Sequence, residues 1–357
     1  MASADDIAKA IFGAIGNNDE ESTVSQFLDT GYPELNYALA SRWDGGMPVG
    51  RVVEMFGPPS SGKTAISTRA MASAQKMGGI AAFMDHERSF SMTLAPNLGL
   101  DITPGRLIFK KPRTFEESLN QVIKLATVVR EKKLIAKEAP ICVVFDSLAS
   151  MVPQSKLYDK DGKDRELDGY TMHDNTALAR ATSAALPAFN QMAEELSICA
   201  IFLNQMRLKP GVAYGDPTTT PGGEAPKFYS SVRIQLGAQK IAKGAGEAKE
   251  IIGSQINARV IKNKVARPFL TASWRFVFQE DGSGKFDVTR SMIDFLLREK
   301  RLEKSGNYIV WDGNKFYADA LSAKIDKDGT YDQLLKLLPA SYEPPVVASL
   351  DEDEPAV

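Results

Sequence analysis

A short glycine-rich segment between an apolar run and a helical pattern constrains this chain more than any other feature. The segment, Gly57-Pro-Pro-Ser-Ser-Gly-Lys-Thr64, matches the pattern G-x-x-x-x-G-K-[ST]. It follows the apolar run 52–56 and opens a helical pattern that ends near Gly78-Gly79. Backbone N–H groups at such a strand-to-helix turn surround phosphate oxygens. The sequence therefore predicts an α/β fold with a nucleotide site at this turn.

The predicted ligands are ATP and Mg²⁺. We expect all eight residues of the segment to bind the nucleotide: Gly57, Pro58, Pro59, Ser60, Ser61, Gly62, Lys63 and Thr64. Lys63 would reach the β and γ oxygens, and the Thr64 hydroxyl would bind the metal. Asp146 ends the apolar run 141–145, so we predict that it holds the same Mg²⁺. The alternative is that Asp146 only caps a turn.

Short apolar runs alternate with helical patterns from Arg51 onward, at 52–56, 80–84, 141–145 and 199–203. Such runs are typical of parallel strands that helices bury on both faces. Alternating segments follow near 232–236, 256–261 and 273–278. We expect these to be antiparallel strands that extend the same sheet.

The overall composition excludes some classes of protein. No apolar run approaches the roughly 20 residues that span a bilayer, and the N-terminal residues are acidic where a signal peptide is basic. We therefore expect a cytoplasmic protein with no membrane partner. Cys142 and Cys199 lie in separate apolar runs, which favours free buried thiols. The net charge of −2 gives no sign of nucleic-acid binding, so a DNA site would need a local basic loop.

Hydrolysis also needs a group that orients water. Glu87 follows the run 80–84 at the predicted carboxyl edge of the sheet, which makes it the candidate base. Asp85 is a rival acid that the sequence leaves open. His86 and His173 have no partners at metal-ligand spacing and are interpreted as ordinary polar residues.

Several further segments resemble the RecA family of recombinases, in the family's order. They are 45–57 before and into the phosphate loop, 143–147 around Asp146, 202–209, 218–229 and 260–265. The resemblance covers roughly residues 30–278. It implies a RecA-type P-loop NTPase core with a mostly parallel central sheet extended by antiparallel strands, plus a small N-terminal helix and a small C-terminal α/β lobe.

The same resemblance implies roles for individual residues. Glu87 takes the place of the catalytic glutamate and Gln205 that of the γ-phosphate sensor. Lys262 and Lys264 match a pair of lysines that act on a neighbouring subunit's ATP. Two lysines at positions i and i+2 of a strand share a face, so both could reach one phosphate. Without the resemblance, a solvated strand face would be the preferred interpretation.

DNA contacts are expected in two polar loops, near 156–175 and 207–229. The predicted DNA-binding residues are Arg180, Ser183, Arg207, Lys209, Tyr214, Gly222 and Gly223. Basic residues can meet phosphates and glycines permit close backbone approach, while Tyr214 could stack on a base. The alternative for each polar side chain among them is an ordinary surface residue with no role in DNA binding.

The chain departs from the family at Leu94, where an aromatic would stack on adenine, and at Pro187, Pro210 and Glu224. A phage-encoded or divergent member fits such a pattern. The implied function is ATP-dependent recombination: a helical filament on single-stranded DNA that pairs it with duplex DNA and hydrolyses ATP. The alternatives are a hexameric motor or helicase of the same fold, and an ATP-switched regulator that polymerises without strand exchange.

Four regions are expected. Residues 1–29 form an N-terminal helix and linker that serve oligomerisation, and residues 30–282 form the ATPase core. Residues 283–343 form a small C-terminal lobe, and residues 344–357 form a disordered acidic tail.

Overall fold

The computed structural model describes residues 3, 5, 9, 12, 23–166, 174, 176–208, 218–244, 250–279 and 284–340. Asp5, Lys9 and Phe12 are helical. The remainder of the expected N-terminal helix, most of the linker and the expected acidic tail lie outside the described residues.

The strands of the described residues form one large sheet and three small ones. In chain order they are β1 (Phe27–Leu28), β2 (Met47–Pro48), β3 (Val52–Gly57), β4 (Ile80–Asp85), β5 (Leu107–Lys110), β6 (Ile141–Asp146), β7 (Ile198–Gln205), β8 (Arg207–Leu208), β9 (Thr218–Thr219), β10 (Val232–Lys243), β11 (Glu250–Asn263), β12 (Thr271–Phe278), β13 (Gly284–Asp287), β14 (Lys304–Ser305), β15 (Tyr308–Trp311) and β16 (Asn314–Phe316). The large sheet has the order β13-β12-β11-β10-β3-β7-β6-β4-β5.

From residue 23 onward, the α-helices of the described residues are α1 (Pro33–Ala40), α2 (Lys63–Lys76), α3 (Phe115–Glu131), α4 (Gln154–Leu157), α5 (Ala177–Glu195), α6 (Ala225–Tyr229), α7 (Val288–Arg298), α8 (Ala318–Asp328) and α9 (Tyr331–Leu335). None of them is both long and apolar enough to cross a membrane.

The predicted fold class is confirmed. Strands β10, β3, β7, β6, β4 and β5 pair in parallel, and β11, β12 and β13 add to β10 in antiparallel fashion. The predicted strands are present, and the sheet also gains β5, which the sequence analysis missed. The main sheet ends with β13, a few residues beyond the predicted core boundary at 282.

Burial on both faces explains why the central strands are continuous apolar runs. All six residues of β6 are buried, and its five apolar residues alternate between two apolar clusters on opposite faces of the sheet. Val144 packs on the face that α1 and α2 cover, and Phe145 packs with Phe189 of α5 on the other. Cys142 and Cys199 are free and buried, as predicted, and the structure places them opposite each other on β6 and β7.

The C-terminal residues of the described chain have a core of their own. Helices α7, α8 and α9 pack with the β14–β16 sheet around Phe295, Ile309 and Leu321. The predicted hairpin at 308–316 is present as β15 and β16. Trp43 of the main domain contacts this cluster, and its indole N–H donates to the Pro339 carbonyl at 3.0 Å.

The two polar stretches contain more regular structure than their composition predicts. The first includes part of α4, and Tyr158 and Asp164 form an antiparallel bridge within it. The second begins with β8, which pairs with β9, and it runs into α6. Arg207 therefore lies on a strand.

Candidate nucleotide site

The phosphate loop connects β3 to α2 at the carboxyl edge of the sheet. Gly57 lies so close to β10 that a Cβ there would be 2.4 Å from the Leu236 carbonyl oxygen. Gly62 caps α2 with a φ of 83°, a conformation that favours glycine. No side chain caps the first turn of α2, so its N–H groups remain available to an anion.

The Lys63 side chain folds back over the phosphate loop and contacts the first residues of that loop. Its Nζ donates to the Gly57 carbonyl at 3.1 Å and to the Pro58 carbonyl at 2.8 Å. Partial burial lowers the pKa of this ammonium, and the charges of Asp146 and Glu87 act in the opposite direction. Lys63 is thus a cation held inside the loop, where the β and γ oxygens of a nucleotide would lie.

Thr64 and Asp146 meet as the sequence predicts. The Thr64 hydroxyl donates to Asp146 Oδ2 at 3.1 Å, although 82 residues separate the two in the chain. Burial and then repulsion from Glu87 raise the pKa of Asp146 to about 6, although the Thr64 hydrogen bond and the charge of Lys63 act in the opposite direction. A hydroxyl beside a carboxylate is the oxygen donor set that suits Mg²⁺.

Glu87 lies on a turn that is held by hydrogen bonds to the Asp146 carbonyl and the Asp85 carboxylate. The backbone N–H groups of His86 and Glu87 donate to the Asp146 carbonyl at 2.7 and 3.0 Å. Asp85 is 1% exposed, and its Oδ1 accepts from the N–H of Arg88 at 2.7 Å. Asp85 is therefore engaged in holding the turn, while the Glu87 side chain is exposed near Lys63 and Asp146. The geometry favours Glu87 over Asp85 as the base.

His86 has a structural role that the sequence analysis missed. Its Nε2 lies 2.5 Å from Ser118 Oγ, and that hydroxyl donates to the Thr114 carbonyl at 3.0 Å. Because the Ser118 hydrogen is used, His86 Nε2 must carry the proton and donate. The histidine thus attaches the Glu87 turn to α3. Burial and the charge of Arg88 lower the pKa of His86 to about 4, so the ring is neutral at pH 7.

This neutral histidine predicts a pH effect on stability. The folded pKa is about 4 and the ordinary value is 6.5, so below pH 6.5 the unfolded chain binds a proton that the folded chain does not. Relative to His86→Asn, the wild type should lose at most about 3 kcal/mol of unfolding free energy between pH 6.5 and 4. Denaturant unfolding of both proteins across this range measures the difference. A constant difference would show that His86 is not held neutral.

An apolar cavity of about 360 Å³ adjoins the start of α2 and would suit the base of a nucleotide. Thr64 and Thr68 form one wall, and Leu94, Phe276 and Phe278 form another. Leu94 and Phe278 are 44% and 51% exposed. The sequence analysis noted Leu94 but missed the two phenylalanines, which it read only as strand residues.

Gln205 ends β7 directly beside the start of the phosphate loop, opposite Gly57 in the register of β3 and β7. Its backbone N–H donates to Asn204 Oδ1 at 2.9 Å. The second polar loop follows immediately, so the predicted sensor lies between the phosphate loop and that loop.

Lys262 and Lys264 share a face, as predicted, but β11 ends at Asn263 between them. Lys262 Nζ donates to the carbonyls of Lys227 and Phe228 at 2.5 and 2.8 Å, and Lys264 Nζ donates to the latter at 3.5 Å. Burial and then the charges of Lys264 and Arg233 lower the pKa of Lys262 to about 8.

The residues predicted to bind DNA are only partly brought together. Arg180 and Ser183 are exposed on α5, and Arg207 is exposed on β8. Lys209 and Tyr214 lie outside the described residues. Gly222 and Gly223 have positive φ and pack against Leu148 and Ala179, so packing alone requires glycine there.

One buried hydrogen bond joins α5 to the end of the second loop. The Thr182 hydroxyl donates to the Gly222 carbonyl at 2.7 Å. The two elements that carry predicted DNA contacts are therefore held together.

Comparison with known proteins agrees with this geometry. Residues 6–283 match the RecA N-terminal domain family. Protein RecA of Chlorobaculum tepidum is 37% identical over 305 residues, which cover 85% of this chain and 80% of the relative. Protein RecA of Streptococcus mutans is 35% identical over 321 residues, which cover 89% of this chain and 76% of the relative. This chain belongs to the RecA family and is a DNA-dependent ATPase that acts in DNA recombination and repair.

Proposed function

We propose that this chain hydrolyses Mg²⁺-bound ATP at sites completed by a neighbouring subunit in a helical filament on single-stranded DNA, and that this filament captures duplex DNA. The observation that carries this proposal is the position of Lys262 and Lys264 relative to their own phosphate loop.

The register of the sheet separates these lysines from that loop. Lys262 lies opposite Arg233 on β10, which lies opposite Glu54 on β3, three residues before Gly57. Two strand spacings of about 4.8 Å and three residues of about 3.3 Å put the Lys262 backbone roughly 14 Å from Gly57. Both side chains point to the end of α6. Their charges are therefore better placed for a neighbour's nucleotide than for their own.

Within one subunit, the remaining groups divide the work. Lys63 and the N–H groups of α2 would bind the phosphates, and Glu87 would accept the proton of the attacking water. Thr64 and Asp146 would hold Mg²⁺, which neutralises phosphate charge when bound. Lys262 and Lys264 of the neighbour would stabilise the charge that develops on the γ-phosphate. Gln205 would sense that phosphate.

DNA would bind along the surface where α5 and the second loop meet. Arg180 and Arg207 supply positive charge for phosphates. Ser183, Lys209, Tyr214, Gly222 and Gly223 complete the proposed DNA-binding set. The division into residues 1–29, 30–282, 283–343 and 344–357, with oligomerisation by the first, remains part of this proposal.

The raised pKa of Asp146 predicts how metal-dependent nucleotide binding responds to pH. When the pH falls below about 6, the pKa of Asp146, the carboxylate takes up a proton and loses the charge that would attract Mg²⁺. The affinity advantage of the wild type over Asp146→Asn should shrink about fivefold between pH 6 and 5, because the charged fraction of Asp146 falls from about one half to about one tenth. Titration with Mg²⁺ and a fluorescent ATP analogue measures both proteins, and the asparagine variant corrects for protonation of ATP. An advantage independent of pH would place Mg²⁺ elsewhere.

Electron microscopy with an ATP analogue and single-stranded DNA tests the assembly. A head-to-tail contact need not close, so we expect open helical filaments whose length follows the DNA. Discrete rings would contradict the proposal and favour a hexameric motor. A strand-exchange assay on the same filaments distinguishes a recombinase from an ATP-switched regulator, since a regulator would yield no joint molecules.

A further inference from the structure

A charged residue that the mechanism does not use lies in the middle of the strand that leads to the phosphate loop. Glu54 of β3 is 0% exposed. Its Oε1 accepts from Asn204 Nδ2 at 2.9 Å, and its Oε2 accepts from Arg233 Nε at 2.6 Å. The two donors come from β7 and β10, the strands on either side of β3. One buried carboxylate therefore joins the three central strands.

The first branch leads to the sensor and to the second loop. Asn204 donates its other amide hydrogen to the Pro221 carbonyl at 3.0 Å, and its Oδ1 accepts from the Gln205 N–H at 2.9 Å. A single side chain thus contacts Glu54, the end of the second loop and the backbone of Gln205. Movement of the loop at Pro221 must disturb this side chain.

The second branch leads to the lysines. Arg233 lies over the Phe56 ring, 5.0 Å from its centroid, and pairs with Lys262 across β10 and β11. The charge of Arg233 lowers the pKa of Lys262, whereas that of Glu54 raises it. Glu54 therefore holds Arg233 in place beside Lys262, and its charge favours the charged form of this lysine.

The buried ion pair of Glu54 with Arg233 is not explained by a contribution to stability alone. Removing two charges from water is costly, and well-packed apolar residues of similar volume are often at least as stabilising. The neighbours of Glu54 on β3 are apolar and buried. What Glu54 provides, and an apolar residue would not, is a fixed position for Asn204 and Arg233.

We propose that Glu54 is a positioning residue that couples the second DNA loop to both halves of the ATP site, through Asn204 to Gln205 and through Arg233 to Lys262. This inference rests on the proposed roles of Gln205, Lys262 and Lys264.

The loop branch is tested by Asn204→Ala, with Thr182→Val as the matched control. Both variants remove a hydrogen bond to the end of the second loop, but only Asn204 also contacts Glu54 and Gln205. We expect Asn204→Ala to bind a fluorescent ADP analogue normally but to lose about tenfold in the stimulation of its ATP turnover by poly(dT). Thr182→Val should keep the wild-type level of stimulation. Normal stimulation in Asn204→Ala, or an equal loss in Thr182→Val, would overturn the loop branch.

The lysine branch is tested in mixed assemblies of two variants. One variant, the donor, supplies only Lys262 and Lys264, and the other, the acceptor, supplies only the phosphate loop. That donor carries Lys63→Ala, and the acceptor carries Lys262→Ala and Lys264→Ala. Adding Glu54→Gln and Arg233→Gln to the donor keeps an amide oxygen for Asn204 but removes the charge pair. We expect the recovered ATP turnover to fall about tenfold relative to the donor with Lys63→Ala alone.

The outcomes distinguish a failure of site sharing between subunits from a failure of the lysine branch alone. If the simple donor restores no activity, the proposed sharing of the site fails. If it restores activity and the modified donor restores as much, only the lysine branch of the inference fails. Circular dichroism of each donor checks folding, and the Asn204→Ala comparison tests Glu54 coupling even where the modified donor does not fold.

Discussion

Glu87→Gln is expected to lower DNA-stimulated ATP turnover by about 10²-fold or more, while nucleotide binding and assembly stay close to wild type. Glutamine has nearly the same shape but accepts no proton from the attacking water. The turn beneath it should persist, because backbone N–H groups and the Asp85 carboxylate form its hydrogen bonds. The measurement is steady-state ATP turnover with saturating poly(dT), beside the affinity for a fluorescent ATP analogue.

Asp85→Asn serves as the comparison for this variant. Asp85 holds the turn, so its replacement should loosen the position of Glu87 and lower the unfolding free energy. Normal turnover in Glu87→Gln together with a stable, inactive Asp85→Asn would transfer the catalytic role to Asp85.

The parts of the site that the sequence predicts are those that lie at strand ends. A strand, a phosphate loop and a helix in succession locate Lys63 and Thr64 from local pattern alone. Asp146 and Glu87 follow other apolar runs, and parallel strands bring their carboxyl ends to one edge of the sheet. The 3.1 Å contact of Thr64 with Asp146 confirms that expectation.

The missed features depend on contacts between distant residues. Glu54 is 150 residues from Asn204 and 179 residues from Arg233 in the chain, and strand order decides that they meet. A glutamate inside the apolar run 52–56 was the available signal, since an isolated carboxylate is not buried without partners. The contact of His86 with Ser118 likewise depends on how α3 packs beside the Glu87 turn.

The residues predicted to bind DNA divide in the same way. Arg180 and Ser183 lie on a helix whose apolar periodicity fixes their exposed face, so their exposure follows from the sequence. The positive φ of Gly222 and Gly223 is explained by packing on Leu148 and Ala179, which no local pattern shows. Their contact with DNA stays a prediction, as does that of Arg207.

Replacing Lys262 and Lys264 together by alanine is expected to abolish DNA-stimulated hydrolysis while each subunit still folds and binds ATP. Their ammonium groups contact backbone carbonyls near the surface, so their loss should cost little stability. Lys63 and the phosphate loop remain intact in this variant. The lost activity would then reflect the missing charge at a neighbour's γ-phosphate.

Mixing two inactive subunits measures this sharing most directly. Lys63→Ala lacks a working phosphate loop but keeps its lysines, and Lys262→Ala/Lys264→Ala keeps the loop but lacks the lysines. Wherever the intact loop of one faces the lysines of the other, a complete site is rebuilt. If the site is shared, the mixture on single-stranded DNA should hydrolyse ATP although neither subunit does so alone. Co-assembly of the two variants without any recovery of ATP hydrolysis would contradict the shared site.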